Sequence, residues 1–213
     1  MKKLIAIVLT TFFAFNISAQ EDAQAKGILD KLSKKTKAYT SIKAVFQYTI
    51  INKKEGVNEV QEGSILLKGN KYVLSIKGQD VISDGKTVWT YIKESEEVHI
   101  NSISADENDG TFSPNKLFTL YETGFKYKFV EEKNNIYNIN LYPKDAAAKS
   151  FHRIALFIDK LKDQINEVKV YGKDGGEMTY KIKSFTTNTV IADSQFTFDK
   201  TKHPKVEIID LRD

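Results

Sequence analysis

The sequence predicts a mainly β fold with two helices, an α+β chain built on one strongly curved antiparallel sheet. Three observations predict it. Between Gly63 and Ile100 (GSILLKGNKYVLSIKGQDVISDGKTVWTYIKESEEVHI) short runs of alternating apolar residues are separated by tight turns, two of them meeting at Asp84-Gly85. From Phe125 to Leu211 strand-like runs recur at short spacing without helical patterns between them, which argues against a parallel α/β fold. Helical periodicity is confined to Asp22–Tyr39 and Asn115–Glu122. A length of 213 residues suits one such domain, and no linker, repeat or low-complexity segment divides it.

Met1-Lys2-Lys3, the apolar run Leu4 to Ile17 and Ser18-Ala19 have the charged, apolar and small-residue regions of a secretory signal. Cleavage is expected after Ala19, leaving residues 20–213 as a single domain that works in the periplasm. The apolar run is shorter than the roughly 20 residues that span a bilayer and is interrupted by Thr10, Thr11 and Asn16. In the first helix Ala25, Ile28, Leu29, Leu32, Thr36 and Tyr39 recur at three and four residues, and Asp22 is placed to cap it. A strand over Lys43–Asn52 puts Ala44, Phe46, Tyr48 and Ile50 on one face. After a polar turn, Ile65 and Leu67 share a face of the next strand, and Tyr72, Leu74 and Ile76 share a face of the one after it. Thr87–Ile92 carries Val88, Trp89 and Tyr91, and Val98 and Ile100 follow.

Residues 102–113 are polar, acidic and aperiodic, and read as a loop. Pro114 then opens a short helix that presents Leu117, Phe118, Leu120 and Tyr121 and stops at Gly124. Phe125–Glu131 and Ile136–Tyr142 form a hairpin through Lys133-Asn134-Asn135. Strands are expected at Phe151–Asp159, Ile165–Tyr171, Glu177–Phe185, Val190–Phe198 and Val206–Leu211, for ten or eleven in all.

The composition excludes several chemistries. There is no cysteine, hence no disulfide framework, no thiol nucleophile and no acylation site at the cleavage point. The net charge of +4 falls to +2 once Lys2 and Lys3 are removed, too little for a nucleic-acid binder. His99, His152 and His203 lie far apart and outside any metal-ligand spacing. No serine sits in a nucleophile elbow, no glycine loop has phosphate-binding spacing, and no carboxylate pair stands out as acid and base. A binding or carrier domain without cofactor or catalytic residues is therefore preferred to an enzyme such as an envelope lipid or glycan hydrolase.

The order V-Q-E-G-S-I-L-L-K, K-Y-V-L, V-I-S-D-G-K-T-V-W-T-Y and E-E-V-H-I resembles the periplasmic lipoprotein carrier family, LolA. Ala44-Val45-Phe46-Gln47 is similar to its A-x-F-x-Q strand, and Pro114–Tyr121 stands where it has a proline-led helix. Ile191, Asp193, Phe196 and Phe198 before His203-Pro204-Lys205-Val206 resemble its C-terminal motif. The resemblance implies an incomplete β-barrel covered by the N-terminal and mid-chain helices, with an apolar cavity for the acyl chains of lipoproteins. It also implies as partners acylated lipoproteins or lipids, an inner-membrane ATP-driven releasing complex and an outer-membrane acceptor, the protein itself being a monomer. A lipid- or lipoprotein-sensing module without cargo transfer is the alternative on the same scaffold.

A sixteen-carbon chain represents roughly 12 kcal/mol of gross membrane affinity, so a carrier must offer comparable apolar surface. The candidates are Leu29 and Leu32 on the first helix, Phe46, Tyr48, Ile65, Leu67, Tyr72, Leu74, Trp89 and Tyr91 on the sheet, and Leu117, Phe118 and Tyr121 on the short helix. Well-studied members carry an arginine-proline pair after the glycine-led strand, where this chain reads Leu67-Lys68-Gly69-Asn70. By that resemblance Lys68 is the candidate for gating the lid, although lysine is a point donor rather than a guanidinium fork.

Overall fold

Helix α1 (Ala23–Lys37) starts where Asp22 accepts a hydrogen bond from the amide of Ala25 at 2.9 Å. The other oxygen of the same carboxylate accepts from the amide of Phe129 at 2.7 Å, so one side chain both caps the helix and ties it to the sheet. The computed structural model describes residues 22–103 and 124–212. The expected signal segment and the expected helix at Asn115–Glu122, with Leu117, Phe118 and Tyr121, lie outside the described residues.

Twelve strands follow among the described residues: β1 (Ile42–Asn52), β2 (Val57–Lys68), β3 (Lys71–Ile76), β4 (Gln79–Ser83), β5 (Thr87–Ile92), β6 (Glu97–Ser102), β7 (Phe125–Lys133), β8 (Ile136–Pro143), β9 (Phe151–Asp159), β10 (Gln164–Gly172), β11 (Glu177–Thr187) and β12 (Glu207–Asp210). They form one unclosed sheet in the order β12-β6-β5-β4-β3-β2-β1-β11-β10-β9-β8-β7. It is two meanders, β1 to β6 and β7 to β11, joined side by side where β1 pairs antiparallel with β11.

Turn chemistry sets the hairpins. At Ser83-Asp84-Gly85 the serine hydroxyl donates to the Thr87 carbonyl and accepts from the Gly85 amide, while the Asp84 carboxylate accepts from the amides of Lys86 and Thr87. Gly85 takes φ +92°, a conformation that costs residues with a side chain, so the turn needs glycine there. Asn134 and Asn135 at φ 52° and 61° make the primed turn between β7 and β8.

Two expectations are corrected. The sheet is not wholly antiparallel, because β12 pairs parallel with β6. Residues 190–198 are not a strand: Asp193–Phe196 and Lys200–Lys202 are 3₁₀ turns, and Ile191 and Phe196 are buried while Val190 is exposed. Asn188, at φ 58°, turns the chain out of β11, and its side chain accepts from the Thr40 amide. The segment 188–206 then crosses one face of the first meander as a strap and delivers the chain to the free edge of β6. It covers the sheet with side chains instead of pairing with it, which is why the alternation of its apolar residues misleads.

Candidate functional site

Side chains directly opposite one another on paired antiparallel strands share a face, so the register sorts the sheet into two surfaces. The row Tyr48, Tyr180, Val168, Leu156, Ile139 and Phe129 runs from the first meander to the far edge of the second. At its far end α1 covers it. Leu29 and Leu32 pack there with Ile139, Leu156 and Val168 in a core from which water is excluded.

On the same face the first meander carries parallel rows: Ile42, Leu67, Tyr72, Ser83 and Val88; Ala44, Ile65, Leu74, Val81 and Thr90; and Phe46 beside Gly63. Ile42, Leu67 and Tyr72 are buried, with Tyr39, Ile65, Val81 and Phe185 half-buried around them. Helix α1 makes its main contacts with β7 and β10. Among the described residues the result is an apolar surface continuous with the core and incompletely covered.

Aromatic rings mark the seam between the two regions. Tyr180 stacks on Tyr48 at 6.0 Å and meets Phe46 edge-on at 6.0 Å, and Tyr39 meets Phe185 edge-on at 6.2 Å. Gly63 makes room for this arrangement, since a Cβ there would lie 2.6 and 2.7 Å from carbons of the Phe46 ring. Desolvation raises the pKa of the Tyr72, Tyr180 and Tyr48 phenols above 10.0, aided at Tyr180 by Tyr48 and at Tyr48 by Glu59. The phenols stay protonated, and the Tyr48 hydroxyl donates to Gln61 Oε1 at 2.7 Å. Such a surface offers neutral apolar contact with a few hydroxyls at its margin, which suits hydrocarbon and not a charged substrate.

Of the residues singled out from sequence, the register brings Phe46, Tyr48, Ile65, Leu67, Tyr72 and Leu74 together on this face. Leu29 and Leu32 lie in the helix-covered core instead. Trp89, paired with Ile82 and Ile100, and Tyr91, paired with Asp80 and Val98, point to the opposite face. There Tyr91 contacts Phe198 at 5.6 Å and His203 at 4.5 Å in the strap. Lys68 also belongs to the strap side: its ammonium donates to the Ile191 carbonyl at 2.9 Å and to Asp193 at 2.8 Å, and Lys71 pairs with the second Asp193 oxygen at 3.0 Å. These two lysines hold the Asp193 carboxyl below its ordinary value.

Tyr39, Ile42, Val81, Tyr180 and Phe185 share the apolar face and were not among the sequence candidates. Strict alternation within β11 would put Tyr180 and Phe185, five residues apart, on opposite faces; the register shift opposite Val45 and Phe46 brings both to the face of Ala44 and Tyr48. A groove of about 390 Å³ lies elsewhere, under the strap, with Leu66, Val73 and Ile82 as its floor and Ser194, Gln195 and Asp199 at its rim. Its polar rim and its floor on the opposite face distinguish it from the apolar surface, with Ile65 at the margin of both. Among the described residues no three of His, Asp and Glu lie close enough to hold a metal ion.

Among the described residues, then, one helix is seated on half of an unclosed, curved sheet, and the other half of the same face is apolar. The chain belongs to the LolA family, described as outer membrane lipoprotein carrier protein LolA, whose family model matches residues 37–199. Among solved structures it is similar to an uncharacterized conserved protein from Thermus thermophilus, with a TM-score of 0.58 and 13% identity over 88% of this chain and 99% of that one. It is also similar to a LolA superfamily protein from Nitrosomonas europaea, with a TM-score of 0.43 and 12% identity over 82% and 97%. The likeness to the Thermus thermophilus protein, at that identity, concerns the fold alone. A comparison with curated proteins finds no match to this chain.

Proposed function

We propose that the protein is an envelope carrier that binds acyl chains of lipoproteins on the apolar face of β1 to β5 and moves them from the inner to the outer membrane through the periplasm. The observation that carries this reading is the coincidence of LolA family membership with a face whose large apolar side chains α1 leaves incompletely covered. Burying one CH₂ yields about 0.8 kcal/mol, so even part of an acyl chain laid along Ile65, Leu74 and Val81 repays several kcal/mol. Extraction of a whole lipid from a bilayer needs an energised partner, and the family's ATP-driven releasing complex and outer-membrane acceptor fill those roles in this reading. Lys68 takes no gating role in it, because Asp193 holds it on the opposite face.

The test is release of an acylated lipoprotein from inner-membrane vesicles into a soluble complex with this protein, the cognate releasing complex and ATP being present. Release of the acylated form but not of its unacylated counterpart is the expected outcome. Release without later delivery to outer-membrane vesicles would point to a lipid- or lipoprotein-sensing module, and no release at all would overturn the carrier reading.

A further inference from the structure

Leu161 is 76% exposed at the tip of the β9–β10 turn. Its neighbours distinguish it from the other exposed apolar residues: Val60 lies between Glu59 and Gln61, Val190 between Thr189 and Ile191, and Leu211 between Asp210 and Arg212. Leu161 lies between Lys160 and Lys162.

The turn is held in shape from three sides. Asp159 Oδ1 accepts from the amides of both Leu161 and Lys162 at 2.9 Å. From α1, Lys35 donates to the Lys162 carbonyl and Lys31 pairs with Asp163 at 2.9 Å. From the neighbouring β7–β8 hairpin, the Asn135 carbonyl accepts from the Lys160 amide at 2.9 Å, and Glu132 pairs with the Lys160 ammonium at 2.6 Å. The leucine is therefore presented by a fixed scaffold and loses little conformational freedom on contact with a partner.

The charge around it is one-sided. Each of Glu132, Asp159 and Asp163 already has a lysine partner here, namely Lys160, Lys162 and Lys31. Lys34, Lys35 and Lys133 have no carboxylate partner among the described residues. Set against the one carboxylate here without a lysine partner, Glu131, these three lysines leave about two surplus positive charges at this end, as many as the net +2 of the whole chain without Lys2 and Lys3. A rigid apolar tip ringed by surplus ammonium groups is complementary to an interface whose outside is anionic and whose inside is hydrocarbon.

We propose that the β9–β10 turn, with the C-terminal end of α1, is a docking surface for an anionic phospholipid bilayer, Leu161 being the side chain that enters it. The inference goes beyond acyl-chain binding, and its assay uses vesicles without acylated cargo, so either reading can fail alone.

The experiment is co-sedimentation of the full-length mature protein with vesicles of phosphatidylglycerol mixed with phosphatidylcholine, against phosphatidylcholine alone. Binding is expected only with the anionic lipid, and it should weaken steeply as salt rises from about 0.05 to about 0.5 M. Leu161→Asn should weaken it about tenfold. Each of Lys34→Gln and Lys133→Gln should weaken it about fivefold. Leu161→Trp should show blue-shifted emission over the Trp89 background when the anionic vesicles are added. All of these substitutions are on the surface, and unchanged far-UV circular dichroism confirms that the variants fold. Equal binding to both vesicle types, no binding to either, or Leu161→Asn binding as tightly as the parent chain would overturn the proposal.

Discussion

The two halves of the helix-bearing face are built from the same alternation and end in different states. In the second meander α1 lies across β7 and β10, and Leu29 and Ile139 are 0% exposed. In the first meander, on this face, α1 makes none of its main contacts, and Ile65, Leu74 and Val81 remain half-buried. One half is core. Among the described residues the other has the composition of core without a helix over it, and the difference teaches that an apolar pattern specifies a face to be buried, while the element above it decides whether the protein or a ligand buries it.

The largest effect expected from that contrast is in the sealed half. Leu29→Ala should cost about 3 kcal/mol of unfolding free energy, because its cavity lies in a dry core. Binding of a fluorescent fatty acid by the folded fraction should be unchanged, and a matching loss of affinity would break the division. At the seam, Gly63→Ala should cost about 2 kcal/mol by forcing the Phe46 ring aside. In a Phe46→Ala background the same change should cost much less, a non-additivity that denaturant melts would read.

In the open half, Leu74→Ser should reverse the ranking. Fatty-acid affinity should fall about tenfold while stability falls by about 1 kcal/mol, since the side chain is only half-buried in the free protein. Asp22→Ala loosens the helix that makes the sealed half, at about 1 kcal/mol for the cap. The Ala25 amide, and after it the Phe129 amide, hold the Asp22 carboxyl below 3.8 despite some desolvation. Its contribution is therefore complete above the unfolded value of about 4 and is lost as pH falls through the lower folded value. Asp22→Asn should flatten that part of the acid-unfolding curve. The smallest effect belongs to the strap: Asp193→Asn frees Lys68 and Lys71, and hydrogen exchange at Ile191–Phe196 should quicken without a resolvable change in melting temperature.

Much of this was legible beforehand, for reasons that are local. The N-cap at Asp22, the helix it starts and the turns at Gly85 and Asn134-Asn135 follow from side-chain hydrogen bonds and backbone sterics within a few residues. Ser83-Asp84-Gly85, part of the stretch that resembles the family, is a hydrogen-bonded turn clasp and sets the β4–β5 register. The candidate site was legible only in part. Alternation tells which residues within a strand share a face, but not which face of one strand continues that of another. Alternation alone thus leaves Trp89 and Tyr91 with Leu67 and Leu74, and the register of the Asp84-Gly85 hairpin puts them on the strap side.

By itself the sequence determined the helix, nearly every strand, the tight turns and the family to which the chain belongs, because these rest on local periodicity and on residues in fixed order. Only the tertiary structure decided that β1 joins β11, that Tyr180 and Phe185 complete the apolar seam, that residues 188–206 form a strap instead of a strand, and that Lys68 turns away from the apolar face toward Asp193. Each of these is a meeting of groups more than a hundred residues apart, set by which surfaces can be buried together and carrying no signal in neighbouring residues.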